Sequence, residues 1–189
     1  MPSAAYEQAL RECTKHHAQS KTFSGRLLRP HKKFLTALLQ RHGAQSVLDY
    51  GAGKGEQYSW VDPEDGKTLE QAWGVDVCKY DPAWPPYADE PQGVFDIVIC
   101  THVLGSIPKA DLPFVIRRIM GFATKAVFIA EKIGPIKKNV LSNPKIFPHG
   151  WHAIDWIDAI APHRREGIET HLVVRYKSDH GAFTGHFAL

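Results

Sequence analysis

The chain is poor in cysteine, in long apolar runs and in net charge, and each scarcity removes a class of protein. Only three of its 189 residues are cysteine: Cys13, Cys78 and Cys100. They are far apart, odd in number and outside any C-x-x-C pair, which excludes a disulfide framework and a cysteine-based zinc site and predicts free thiols. No apolar run approaches the ~20 residues that span a bilayer. The opening residues, Met1-Pro2-Ser3-Ala4-Ala5-Tyr6-Glu7, hold no apolar signal region, so a cytoplasmic location and no membrane partner are expected. A net charge of +3 is too small to demand a nucleic-acid partner. The cations cluster locally, as Lys21, Arg26, Arg29, Lys32 and Lys33, as Lys137 and Lys138, and as Arg164 and Arg165. Charged side chains are mostly exposed in any protein, so these clusters read as solvated faces.

What the chain does have is apolar material for a core, with 43% hydrophobic residues in a length that suits one domain. Its most informative stretch is Val47-Leu48-Asp49-Tyr50-Gly51-Ala52-Gly53-Lys54-Gly55, an apolar strand that ends in an acid and enters a glycine-rich turn. Small residues at a strand's carboxyl end let backbone N–H groups approach a ligand, the layout of a nucleotide-cofactor loop in an open α/β sheet. A dinucleotide fingerprint is excluded, because Glu56 stands where the third glycine of G-x-G-x-x-G belongs. A phosphate-cradling G-x-x-x-x-G-K-[ST] is absent too. An acid just before the first glycine suits a ligand that carries a positive ammonium group.

Strands and helices alternate along the rest of the chain. Ala4 to His17 has the apolar spacing of an amphipathic helix, with Ala5, Ala9, Leu10 and Cys13 on one side. A turn at Thr22-Phe23-Ser24-Gly25 precedes a second helix that begins near Pro30 and stops at Gly43. After the strand Val47 to Asp49, a helix from Glu56 is cut short by the turn signal Asp62-Pro63-Glu64-Asp65-Gly66. A short helical turn over Thr68 to Trp73 leads to a second strand at about Val75 to Tyr80. The apolar runs Phe95 to Cys100 and Ala126 to Ala130 read as buried parallel strands, joined by a helix over Asp111 to Phe122 that tolerates Pro113 in its first turn. Gly134 to Pro148 reads as a loop. Trp151 to Ile160 follows as a helix with Ile154, Ile157 and Ala161 toward the core. Gly167 to Tyr176 and Ala182 to Phe187, around Ser178-Asp179-His180-Gly181, alternate as an antiparallel hairpin. The fold class is therefore α/β, a Rossmann-like and mostly parallel sheet with an antiparallel C-terminal hairpin and helices on both faces. Within one domain over 1–189, residues 1–43 form an N-terminal helical cap, 44–133 the ligand-binding half, and 134–189 a substrate-side loop, helix and hairpin.

The glycine loop with its preceding acid resembles motif I of the class I S-adenosylmethionine-dependent methyltransferases. Phe95-Asp96-Ile97-Val98-Ile99-Cys100-Thr101-His102-Val103-Leu104 resembles the same family's fourth-strand motif. Gly105-Ser106-Ile107 departs from it where E-H-I is common, so no role of that acid or histidine carries over. Together with Tyr80-Asp81-Pro82, these segments are similar to small methyltransferases of bacterial and phage genomes. The resemblance implies S-adenosylmethionine as cofactor and S-adenosylhomocysteine as product, with Asp49, Tyr50, Gly51, Ala52, Gly53, Thr101 and His102 around the ligand. It also implies a second acid, at the end of the second strand, for the ribose hydroxyls. Asp76 and Asp81 compete for this place, and Asp81 is favoured because Pro82 ends the strand there. The proline-rich Pro82 to Val94 leaves no room for the usual helix and third strand, which predicts a shortened sheet. Trp84 or Tyr87 in that loop either flanks the adenine or only covers core.

Methyl transfer is an in-line displacement that requires alignment, exclusion of water and, for a protic acceptor, removal of a proton. His102 lies just past the strand of the fourth-strand motif and belongs to a residue type whose ordinary pKa suits a base. His149 and His152 sit in the expected lid, and Tyr58 lies one turn into the first post-loop helix. These four are the candidate catalytic residues. His149-x-x-His152 alone is not a zinc site, and no metal is expected. There is no [ND]-P-P-Y segment after the fourth-strand motif and no Pro-Cys nucleophile at Cys100, which argues against two routes of base methylation. A small-molecule, sugar or natural-product acceptor, methylated on O or N, is expected first. A nucleic-acid or protein acceptor, or a non-catalytic subunit that only binds the cofactor, is the alternative.

Overall fold

The computed structural model describes residues 1–19, 23–133, 152–178 and 181–189. Six strands form one sheet: β1 (Ser46–Tyr50), β2 (Asp76–Tyr80), β3 (Phe95–Thr101), β4 (Ala123–Ile133), β5 (Glu169–Ser178) and β6 (Gly181–Ala188). Their order is β2-β1-β3-β4-β5-β6, parallel throughout except for the antiparallel β5–β6 hairpin at one edge. This is the mostly parallel α/β sheet that the alternation of elements predicts. β2 forms the other edge, and the prolines beyond it allow only a single 3-10 turn at Pro85–Tyr87.

The central strands are apolar on both sides because both faces of the sheet are covered. On one face Leu48, Val98, Cys100, Val127 and Ile129 pack under α5 (Leu112–Phe122) and α6 (Ala153–Ile160). On the other, Val47, Ile97, Ile99 and Phe128 pack against α2 (Lys32–His42) and α4 (Leu69–Trp73). Strand alternation therefore assigns Asp49 to the second face, where α3 (Glu56–Ser59) brings Gln57 and Tyr58 beneath it. Helix α1 (Ala4–Gln19) is tied at its start by Ser3, whose backbone N–H and hydroxyl both bond Asp111, at 2.8 and 2.6 Å.

Two expectations need correction. The helix after the loop starts at Ala153 rather than Trp151, and its inner face carries Trp156 and Ile160, while Ile154 is 59% exposed. The phase is set by the indole of Trp156, which is buried and donates to the carbonyl of Lys132 at 3.3 Å. Ala161, expected on the core side, starts an exposed 3-10 turn. The strand expected over Ala126 to Ala130 runs from Ala123 to Ile133, because α5 passes into it with no intervening loop and pairing with β5 continues to Ile133. Of the expected loop Gly134 to Pro148, with Lys137 and Lys138, all lies outside the described residues, as do Lys21 and the hairpin's Asp179 and His180. No described helix is long and apolar enough to cross a membrane.

Candidate functional site

The carboxyl ends of β2, β1, β3 and β4 open into one cavity of about 350 Å³. It is roofed by α1 and by the strap that follows it. Carbonyls of that strap accept from the glycine loop: Phe23 from the N–H of Lys54 at 2.8 Å, and Ser24 from that of Glu56 at 3.0 Å. The loop itself is pinned to β2, since the N–H groups of Gly51 and Ala52 both donate to the Tyr80 carbonyl at 2.7 and 3.0 Å. Gly51 and Gly53 are required here on two counts. Their φ values are +89° and +59°, and a Cβ on either would meet Val103 Cγ2 at 2.1 Å or the Phe23 carbonyl at 2.2 Å.

Asp49 stands at the centre of the cavity floor, with 1% of its surface exposed. Its Oδ2 accepts from the Tyr58 hydroxyl at 2.9 Å and from Gln57 Nε2 at 3.1 Å, while Oδ1 has no partner among the described residues. Gln57, fully buried and also lining the cavity, leaves its Oε1 unpartnered as well. Burial pushes the Asp49 carboxyl up to about 7 despite the two hydrogen bonds, which favour its charged form. Two acceptors orphaned among the described residues, one of them a carboxylate with no ion pair there, fit a bound ammonium group.

Asp81 closes β2 beside the glycine loop. Its Oδ2 accepts from the Gly53 N–H and its Oδ1 from that of Ala83, both at 2.9 Å. Each carboxylate oxygen keeps a second lone pair free for a hydroxyl. Asp76 is elsewhere: it is exposed and pairs with Ser46 at the far end of β1, about 16 Å along the strand from Asp81. Tyr50, Ala52 and Thr101, all buried, complete the cavity wall at the ends of β1 and β3. Trp84 stacks on the ring of His17 and Tyr87 lies over Gly55, and neither lines the cavity.

The candidate bases separate on inspection. His102 lines the cavity in a left-handed conformation, φ +58°, its N–H donating to the Ala130 carbonyl at 2.7 Å. Its Nδ1 is buried and unpartnered. Its pKa is not the ordinary one expected: burial, with the charges of Lys132, His31 and Arg175, pushes it down to about 3. Tyr58 does not reach the cavity, because its hydroxyl is committed to Asp49 from within the core and burial holds its pKa well above the usual phenol value. The placement expected of it is corrected accordingly. His152 is an exposed N-cap of α6, away from the cavity lining, with its backbone N–H on Asp155 at 2.5 Å. His149 lies outside the described residues. Among the described residues no group of His, Cys, Asp or Glu is arranged to hold a metal ion.

Three cavity residues were not read from the sequence. Gln57 had a signal, following the glycine loop two residues after Gly55. His17 continues the stripe Ala9, Cys13, His17 at four-residue spacing and so had to share the inner face of α1. Glu131 is the acid that directly follows the apolar run Ala126 to Ala130. It is 2% exposed, accepts from the N–H groups of Leu104 at 2.7 Å and Gly105 at 3.4 Å, and is pushed up to about 7 by burial against those bonds.

A family model described as a methyltransferase domain matches residues 15–125, which run from the end of α1 to the start of β4. No curated protein matches the chain.

Proposed function

The chain belongs to the methyltransferase-domain family, and from that premise we propose that it transfers the methyl group of S-adenosylmethionine to an O or N atom of a small molecule. The observation that carries the cofactor half of this reading is the buried, unpartnered Oδ1 of Asp49. With Gln57 Oε1 it would receive the ammonium group, and Asp81 would receive the ribose hydroxyls beside Gly53. The bound cofactor supplies an electrophilic methyl on a sulfonium centre. The chain's own part is to hold the two reactants in line and keep water out, for which the buried floor and the roof of α1 are suited.

The acceptor half would occupy the cavity beyond β3 and β4, bounded by His102, Ile107, Glu131 and Trp156. For a protic acceptor, Glu131 is a better base than His102, since a carboxyl near 7 holds a proton at neutral pH far more readily than an imidazole near 3. A nucleic-acid acceptor is disfavoured by the pairing of cations in the basic cluster of the N-terminal region. Lys32 pairs with Asp62 and Asp65 at 2.6 and 2.7 Å, Lys33 with Glu64 at 3.1 Å, and Arg26 with Glu56 at 2.7 Å. These pairs cancel the field that would draw in a polyanion.

The test has two stages. Calorimetry should detect S-adenosylhomocysteine binding, and its absence would overturn the cofactor reading. Radiolabelled S-adenosylmethionine should then transfer label into the small-molecule fraction of a cell extract, whereas label in RNA or protein would overturn the acceptor reading.

A further inference from the structure

Helix α1 was expected only as a cap, yet it places His17 on the cavity wall next to Asp81. The imidazole is 3% exposed and stacks on Phe23, with centroids 4.7 Å apart and planes at 15°, and on Trp84, at 5.6 Å and 24°. These stacks fix the ring plane. Its Nδ1 is buried without a partner among the described residues, and its Nε2 stands 3.8 Å from Asp81 Oδ2, beyond hydrogen-bond reach. A ring placed only to fill an aromatic stack would be apolar, since a buried nitrogen without a partner is unfavourable. Here a polar ring is held rigidly, slightly too far from the acid to satisfy it.

We propose that His17 is a second anchor for the ribose, meeting a hydroxyl of the nucleoside from the helix side while Asp81 meets it from the sheet side. The proposal rests on the cofactor reading above and extends it to α1. A neutral imidazole offers one N–H and one lone pair, so it can donate to or accept from a hydroxyl that also bonds the carboxylate. Burial lowers the pKa of His17 in spite of the nearby Asp81 charge, which keeps the ring in that neutral form at pH 7. Two walls that otherwise belong to separate parts of the chain would then close on one ligand group.

The test compares two ligands on three proteins by calorimetry. The ligands are S-adenosylhomocysteine and its 2′,3′-dideoxy analogue, and the proteins are wild type, His17→Phe, which keeps a stacking ring, and His17→Gln, which keeps an amide. His17→Phe should bind S-adenosylhomocysteine about tenfold more weakly, the loss of one hydrogen bond. It should lose less than about twofold on the dideoxy analogue, and His17→Gln should fall between wild type and His17→Phe. Wild-type affinity in His17→Phe, or an equal loss on both ligands, would overturn the proposal by showing that the ring acts through packing alone. If the Phe ring does not fit the stack, His17→Ala supplies the same two-ligand comparison. A wild-type protein that binds neither ligand would overturn the cofactor reading itself, a result distinct from the other two.

Discussion

Two polar clusters in this molecule contain a carboxylate and histidines, and they are built on opposite terms. Between α2 and the β5–β6 hairpin, Glu169 receives Arg41 at 2.5 Å and His171 Nε2 at 2.6 Å on one oxygen, and His42 Nε2 at 2.7 Å on the other. His171 Nδ1 continues to His186 Nε2 at 3.0 Å. Although partial burial raises the Glu169 carboxyl, the bonds from His42 and His171 and the charge of Arg41 hold it below its ordinary value. In the cavity the terms are reversed. Asp49, Gln57, His17 and His102 each keep a buried polar atom with no partner, and Asp49 is pushed up rather than down. A satisfied cluster stabilises a fold, and an unsatisfied one in a cavity leaves donors and acceptors for a ligand or ordered water to meet. By this criterion the histidine-rich face is structural and the cavity is where chemistry belongs.

The sharpest way to break the comparison is Asp49→Asn. The amide oxygen can still accept from Tyr58 and Gln57, so the fold should survive, but the charge that faces an ammonium is gone. Losing a charged hydrogen bond costs about 1.5–3 kcal/mol, so S-adenosylhomocysteine affinity should fall roughly 10- to 150-fold. The pH profile gives a second readout. With a carboxyl near 7 in the free protein, the proton must leave before the cation binds, so affinity rises with pH up to about 7 and stays level until the ligand's own ammonium group begins to lose its proton. Wild type should therefore bind about tenfold more weakly at pH 6 than at pH 7.5, and Asp49→Asn should lose that slope. An unchanged affinity in Asp49→Asn would make the cavity as structural as the other cluster.

The reverse substitution is Glu169→Ala, which should leave ligand affinity alone and reduce stability. It strips an acceptor from Arg41, His42 and His171 at once, a loss of about 1–3 kcal/mol by chemical denaturation. The sign with pH follows from the depressed carboxyl. Its contribution is present above the ordinary glutamate value of 4.5 and is lost as pH falls through the lower folded value, so wild type and Glu169→Ala should converge in strong acid. A drop in S-adenosylhomocysteine affinity with no change in stability would refute the division between the clusters.

How far each cluster could be read from the sequence follows from the range of the signals. The glycine loop, the acid before it and the parallel strands are local patterns, and they appear where expected. The position of Asp81 at the end of β2 beside the glycine loop is also a local signal, marked by Pro82. The unread residues are those whose role depends on a distant element: Glu131 meets the turn at Leu104 and Gly105, and His17 meets Asp81 only because α1 folds back over β2. The helix phase at Trp156 and the commitment of Tyr58 to the core failed for the same reason. Periodicity reports that a face is apolar but not which of several apolar residues wins the interior. The pKa of His102 was beyond sequence reasoning altogether, because it depends on Lys132, His31 and Arg175 converging in space.

The smallest and most diagnostic effect belongs to Tyr58→Phe, because Tyr58 supports the cavity's acid without touching its ligand. The substitution removes only the hydroxyl that donates to Asp49 Oδ2 at 2.9 Å and leaves a ring that still fills the core beside Trp73. Tyr58's bond favours the charged form of Asp49, so without it the carboxyl should rise further above 7. At pH 7 affinity for S-adenosylhomocysteine should drop by a few-fold, and at pH 8, where the ligand still carries its ammonium charge, part of that loss should be recovered. The midpoint of the affinity profile should move to higher pH. A uniform loss at every pH would instead mean that Tyr58 shapes the floor mechanically, and Asp49 would have to owe its charge state to burial and Gln57 alone.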